Sequence, residues 1–256
     1  AEALLAEIKG SRSSKDKQRL KEQSDRQFQE ALALADSAIE RLQGLLKITD
    51  QMHSLVGGNA GSERYTPNAE RFALLGSALK YKAIVLSRRG DSWSDIEPLL
   101  AESAEAYGEG EGVSFDANFD PYAMINRLQL CGILGQPVPN IRQLIDKSQE
   151  ASRLAFKRKP SFFSAVGVAD AEVAHYLLAA DSGNSQKLPD ASELIQLYRD
   201  ALSEMPHSNR QFFSTIKQLI CLAGFLDKRA DSVEDKTLIN QRARVIKAVA
   251  LELKKL

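Results

Sequence analysis

The chain contains three histidines and two cysteines, the residue types from which nucleophilic and metal sites are most often built. His53, His175 and His207 do not lie within one helical turn of each other or of Cys131 or Cys221. The sequence has neither an HExxH zinc motif nor a GxxxxGK phosphate loop. We therefore expect no catalytic residues, no metal and no cofactor, and we predict that the chain is not an enzyme.

A thiol–imidazole pair of Cys131 and His175 is the one catalytic arrangement that the sequence leaves open. Both cysteines lie inside apolar helical runs, which is typical of small buried side chains in a reducing compartment. No apolar stretch approaches the ~18 residues of a membrane span. We expect a cytoplasmic protein that does not enter the membrane.

The 34 basic and 34 acidic residues give a formal net charge of zero, so no overall field attracts nucleic acid. Two basic clusters stand out locally. They are Arg153, Lys157, Arg158 and Lys159, and then Arg242, Arg244, Lys247, Lys254 and Lys255. Each cluster fits the charged end of a helix, and the alternative is a site for nucleic acid or a nucleotide.

Every charged residue between Arg89 and Arg127 is acidic, from Asp91 to Asp120. The simpler interpretation is a solvated helix face followed by an acidic loop. The alternative is a docking surface for a basic partner segment, in which charge sets the association rate more than the affinity.

The spacing of the apolar residues predicts the helices that position these side chains. One stripe with alternating steps of four and three indicates a long helix from about Phe28 to about Leu55. Residues 1–27 are predicted to be a polar linker or N-terminal extension, with 11–27 either a solvated helix or a flexible linker. Residues 28–256 are predicted to form the repeat domain, and the chain is expected to be part of a longer polypeptide.

Four helical hairpins follow the long helix, each bounded by glycine, proline or capping residues such as Asn68, Ser161 and Ser208. The predicted helix pairs are 68–90 with 91–112, 120–135 with 139–159, 161–177 with 190–205, and 208–227 with 233–256. No run alternates with period two, so we predict no strands. Helix pairs spaced in this way predict an all-α fold, an alpha-solenoid of helical hairpins with a curved inner groove.

The segment 70–79 has an aromatic residue at Phe72, the pair Leu75-Gly76 and a bulky Leu79, a spacing that resembles the first helix of a tetratricopeptide repeat (TPR). With the segment 120–126 it looks like the TRAF-binding region of apoptosis-signal kinases and related bacterial proteins, which carry caspase-like or other signalling domains. The resemblance implies a protein-binding adaptor within a larger bacterial signalling or defence protein.

On such an array the first helix of each pair faces inward, and its polar residues form the usual ligand surface. The predicted partner-binding residues are Ser77, Lys80, Asn126, Arg127, Asp170 and Arg210. An amide inside an apolar helix must find partners, so Asn126 is expected to bond either to a neighbouring helix or to a ligand. The expected partner is a protein segment or a fused effector domain, and the alternative function is nucleic-acid or nucleotide sensing.

Overall fold

The computed structural model describes residues 14–55, 67–112, 121–179, 189–205 and 208–256. Within these ranges the chain forms nine α-helices and no strand, which confirms the all-α prediction. The helices are α1 (Ser14–Leu55), α2 (Pro67–Arg89), α3 (Trp93–Gly112), α4 (Pro121–Leu134), α5 (Ile141–Arg158), α6 (Phe162–Ala179), α7 (Ala191–Glu204), α8 (Asn209–Ala230) and α9 (Thr237–Leu253). The glycine-rich segment 57–61, where the sequence predicts a loop after the long helix, and the acidic residues after Gly112 lie outside the described residues.

The first helix is longer than predicted. It begins at Ser14 rather than near Phe28, so the predicted boundary between residues 27 and 28 falls inside it. Its first part is largely solvent-exposed, which matches the solvated-helix alternative for this segment. From Phe28 onward the predicted apolar stripe is buried, and α1 packs along α2.

The remaining helices form the four predicted hairpins, α2/α3, α4/α5, α6/α7 and α8/α9. Ser161 and Ser208 cap α6 and α8, because their hydroxyls accept hydrogen bonds from the backbone N–H groups of Ser164 (3.1 Å) and Gln211 (3.3 Å). The predicted cap at Asn68 is wrong. Helix α2 already includes Pro67, and the buried Asn68 Oδ1 has no hydrogen-bond partner among the described residues.

Glycines allow helices to approach closely, as Gly76 and Gly132 illustrate. A Cβ on Gly76 would lie 2.9 Å from the Tyr107 ring, so this glycine lets α2 and α3 come close together. A Cβ on Gly132 would lie 2.6 Å from the Cβ of Leu177, where α4 crosses α6. Helix α4 is consequently buried on nearly all sides at the centre of the array.

Helix α8 closes one end of the inner groove. In a regular repeat array each hairpin contacts only its neighbours, but α8 also contacts α2 and α4. Lys228 Nζ donates to the carbonyl oxygens of Gly90 (3.1 Å) and Asp91 (2.8 Å), and an Arg229 N–H donates to that of Ile133 (2.7 Å). The hairpin array is therefore tightly curled, and the open groove expected from the sequence is a bounded pocket instead.

Candidate functional site

The inner face, which we define as the side formed by α2, α4, α6 and α8, carries a connected polar network. Ser77 Oγ on α2 lies 3.0 Å from the hydroxyl oxygens of both Tyr107 and Tyr122. Lys80 Nζ donates to Asn126 Oδ1 at 2.5 Å, and Asn126 Nδ2 donates to the carbonyl oxygen of Tyr122 at 2.8 Å. The amide of Asn126 thus has structural partners on α2 and on its own helix.

Asp170 on α6 belongs to a second set of hydrogen bonds on the same face. The Tyr198 hydroxyl donates to Asp170 Oδ1 at 2.5 Å. Burial raises the pKa of Asp170 to about 6, although the Tyr198 hydrogen bond and the nearby Lys80 ammonium act in the opposite direction. Asp170 therefore keeps its proton to a much higher pH than a surface aspartate does.

Two glutamines connect this second set, through the backbone of Asp170, to α8. Gln129 Nε2 donates to the carbonyl oxygen of Asp170 at 3.0 Å. Gln218 Nε2 in turn donates to Gln129 Oε1 at 3.1 Å. Because these bonds join α4, α6 and α8, the polar floor is fixed by three of the four hairpins.

The network opens into a cavity of about 830 Å³ between α4, α5, α6 and α8, which we call the inner pocket. Asn126 and Asp170 lie at its floor, and Thr215 and Gln218 form the wall contributed by α8. Cavities of this size accommodate small ligands or a few side chains of a partner.

The mouth of the inner pocket is basic and aromatic. Arg158 and Lys159 line it at the end of α5, and Tyr122 and Phe163 line it from α4 and α6. The Phe163 side chain is 60 % exposed. A large aromatic side chain that stays in water next to a polar cavity is typical of a binding surface.

A second cavity, of about 470 Å³, lies on the opposite side of α6 between α5 and α7, and we call it the outer groove. Its floor is Glu172, whose Oε1 accepts from Gln149 Nε2 at 2.6 Å and whose Oε2 lies 3.2 Å from His175 Nδ1. The hydrogen bond with His175 lowers the pKa of Glu172 most, followed by the bond from Gln149 and the charge of Arg142.

The six predicted partner-binding residues separate into two groups. Asn126 and Asp170 line the inner pocket, and Ser77 and Lys80 support it from α2. Arg127 instead points toward the end of α3, where its Nε lies 2.8 Å from Glu111 Oε2. Arg210 is exposed in the first turn of α8 and does not line the pocket. The sequence interpretation missed the contributions of Tyr198, Thr215 and Gln218.

Cys131 and His175 each have other partners. Cys131 is buried on α4, and this burial raises the pKa of its thiol. His175 is hydrogen-bonded to Glu172. Among the described residues, no group of three or more His, Cys, Asp or Glu side chains is arranged to hold a metal ion. The His53 side chain and His207 lie outside the described residues.

The second basic cluster is not a continuous surface. Arg242 on α9 is only 1 % exposed, and Lys247 forms an ion pair with Asp227 at 2.6 Å.

The acidic residues that follow Arg89 differ in their partners and in their exposure. Asp91 pairs with Arg89 at 2.6 Å, whereas Glu102 and other acids on α3 face solvent. The exposed acids fit a solvated helix face, and the docking alternative stays a prediction.

Comparison with known families places part of the chain in a repeat family. The family described as "TPR-S: Tetratricopeptide Repeats-Sensor" matches residues 9–131, which is just under half of the chain. This match identifies a TPR-like repeat region from α1 into α4, of the kind that serves in protein interaction or sensing. No curated protein and no solved structure matches the chain. No described helix is both long and apolar enough to cross a bilayer.

Proposed function

We propose that this chain is a regulatory recognition module that binds a segment of another protein, or of a fused effector domain, at the inner pocket. In this proposal it belongs to a larger bacterial signalling or defence protein in the cytoplasm and has no catalytic activity of its own. One observation carries the proposal. Two predicted inner-face residues, Asn126 and Asp170, line one solvent-open pocket, each held by its own hydrogen bonds, and exposed aromatic side chains border that pocket.

The composition of the pocket supports recognition of a protein segment. Its floor offers hydrogen-bonding groups held in place by their neighbours, and its rim offers apolar surface. Protein-binding sites commonly combine an aromatic anchor with fixed polar groups in this way. The match to a TPR-type sensor family agrees with such a role.

A matched pair of phenylalanine variants tests the proposal. Phe163 and Phe213 are both exposed, but only Phe163 lines the inner pocket. Pull-down of proteins encoded beside this chain, or of the rest of its polypeptide, is expected to fail with Phe163→Ala and to succeed with Phe213→Ala. Equal retention by both variants contradicts the proposal, and so does turnover of a substrate by the purified chain.

Nucleotide sensing is the second candidate, because α8 converts the groove into a pocket of small-ligand size with Arg158 and Lys159 at its mouth. Titrations with a mononucleotide and with single-stranded RNA at increasing salt discriminate between the candidates. Phosphate contacts along a nucleic acid weaken steeply with salt, whereas a protein segment held by apolar contacts is less sensitive.

A further inference from the structure

The inner pocket has an unbalanced charge. Lys80 lies behind its floor, Arg158 and Lys159 lie at its mouth, and Asp170 is the single carboxyl group among its described lining residues. Neither Lys80 nor Lys159 forms an ion pair with a described acidic residue. Since the whole chain has a formal net charge of zero, this excess of positive charge is local.

Hydrogen-bond donors accompany the positive charge. Thr215 is only 8 % exposed and lines the pocket, yet its hydroxyl makes no hydrogen bond with the described residues. Helix α6 also begins at the pocket, with Ser161 and Ser164 in the lining. The first turn of a helix carries a partial positive charge and favours anionic groups.

The outer groove differs in this respect. Arg142 forms an ion pair with Asp146 at 3.0 Å and lies 4.0 Å from Glu172. Asp200 accepts a hydrogen bond from Gln196 at 2.7 Å. The charged side chains of the outer groove largely pair with one another, so they attract a charged ligand less strongly.

We propose that the inner pocket binds an acidic segment of the partner protein, with a carboxylate at Lys159, Arg158 and the start of α6, and an apolar side chain against Phe163. This inference rests on the proposed function. The carboxylate binds at the mouth, because Asp170 makes the floor unfavourable for a second acid. The exposed aromatic rim favours a protein segment over a bare anion, since a bare anion leaves Phe163 in water.

The test uses the full chain and two fluorescein-labelled probes. One is the peptide Asp-Glu-Asp-Phe-Glu-Asp-Glu, and the other has Asn and Gln in place of every acid. Fluorescence anisotropy is expected to show binding of the acidic peptide and about tenfold or more weaker binding of the amide peptide.

Two charge reversals locate the binding. Lys157 and Lys159 are both exposed near the end of α5, but only Lys159 lines the pocket. We expect Lys159→Glu to weaken the acidic peptide about tenfold, and Lys157→Glu to change its affinity less than about threefold. Circular dichroism spectra that match the wild type establish that both variants are folded.

Several outcomes overturn the inference. Equal binding of the two peptides, or equal losses in the two variants, shows that binding is not specific to the pocket. Binding of inorganic phosphate or AMP without binding of the acidic peptide shows that the ligand is a small anion. If the partner is still captured while the acidic peptide does not bind, only this inference fails, whereas loss of both also removes the proposed function.

Discussion

Asp170 and Glu172 are two residues apart on α6, but they face opposite sides of the helix and have opposite properties. Burial in the floor of the inner pocket raises the pKa of Asp170 to about 6. In the outer groove, hydrogen bonds from His175 and Gln149 lower the pKa of Glu172. Desolvation raises both pKa values, but at Asp170 it outweighs the single hydroxyl donor, whereas at Glu172 the hydrogen bonds outweigh it.

This contrast separates a structural site from a binding site. Glu172 has the donors that its charge requires, so it joins α5 to α6 without a ligand. Asp170 has one hydroxyl donor on its carboxyl group and faces a cavity. A group left incompletely paired beside a cavity is a frequent mark of a functional site.

The largest expected effect concerns the packing that holds the inner side of α6 in place. In Gly132→Ala the new methyl group would lie 2.6 Å from the Cβ of Leu177 and 2.9 Å from its backbone carbonyl carbon. The backbone cannot move aside cheaply, so we expect a loss of about 1 to 3 kcal/mol in the free energy of unfolding. Urea denaturation followed by circular dichroism measures this loss.

Gly224→Ala is the matched control for that variant. Gly224 also lies inside a helix, α8, but a Cβ there meets no atom within 4 Å. Because alanine is a better helix former than glycine, this variant is expected to gain up to about 1 kcal/mol. If both variants behave alike, the close approach of α4 and α6 does not limit stability.

The next effect concerns Asp170 and depends on pH. Its pKa is higher in the folded protein than in the unfolded chain, so folding favours the protonated form. The stability associated with this group is therefore greatest below about pH 4 and declines as the pH rises toward 6. Relative to the wild type, Asp170→Asn is expected to be more stable at pH 7 than at pH 4, by about 1 to 3 kcal/mol.

Thermal or urea unfolding of both proteins at these two pH values provides the measurement. A difference that does not depend on pH contradicts the assignment of a raised pKa to Asp170. Tyr198→Phe offers a second check, since loss of the hydroxyl donor is expected to raise the pKa of Asp170 further.

The helices were largely predictable because their signals are local. Gly90 and Gly135 have positive φ angles of 107° and 69° at predicted helix ends, where glycine has little steric cost. The start of α1 stayed open between a solvated helix and a flexible linker, because residues 14–27 have no apolar stripe, although Lys, Gln, Glu and Arg favour helix. No local sequence pattern predicts that α8 contacts α2 and α4, because these contacts join residues far apart in the chain, such as Lys228 and Gly90.

The site was predictable only in part for the same reason. Ser77, Lys80, Asn126 and Asp170 lie on first helices, which the repeat pattern turns inward, whereas Thr215 and Gln218 reach the pocket only because α8 closes it. One available signal was overlooked. The spacing of Phe163, Val166 and Gly167 equals that of Phe72, Leu75 and Gly76, so the third hairpin carries part of the repeat pattern, with Asp170 in place of the bulky Leu79.

A smaller effect of opposite sign is expected on the outer side of α6. Because the pKa of Glu172 is lowered in the folded protein, its contribution to stability is present above its unfolded pKa and is lost as the pH falls. Glu172→Gln replaces one acceptor oxygen with a donor facing Gln149 or His175, at a cost of about 0.5 to 1.5 kcal/mol at pH 7.

Unfolding of the Glu172→Gln variant at pH 7 and pH 4 checks this sign. The loss relative to the wild type is expected to be larger at pH 7, the reverse of the behaviour of Asp170→Asn. If both variants shift in the same direction between these pH values, the two sides of α6 do not differ in the way that their hydrogen bonds indicate.

The smallest effect lies at the rim of the outer groove. Arg142 and Asp146 form an ion pair at 3.0 Å, but both side chains are about half exposed. Water and salt screen such a pair, so Asp146→Asn is expected to cost at most about 0.5 kcal/mol, and less at high salt. Urea unfolding at low and high salt measures the cost. A larger loss that salt does not reduce means that Asp146 helps to hold Arg142 against Glu172, and the outer groove then depends on its rim as well as on its floor.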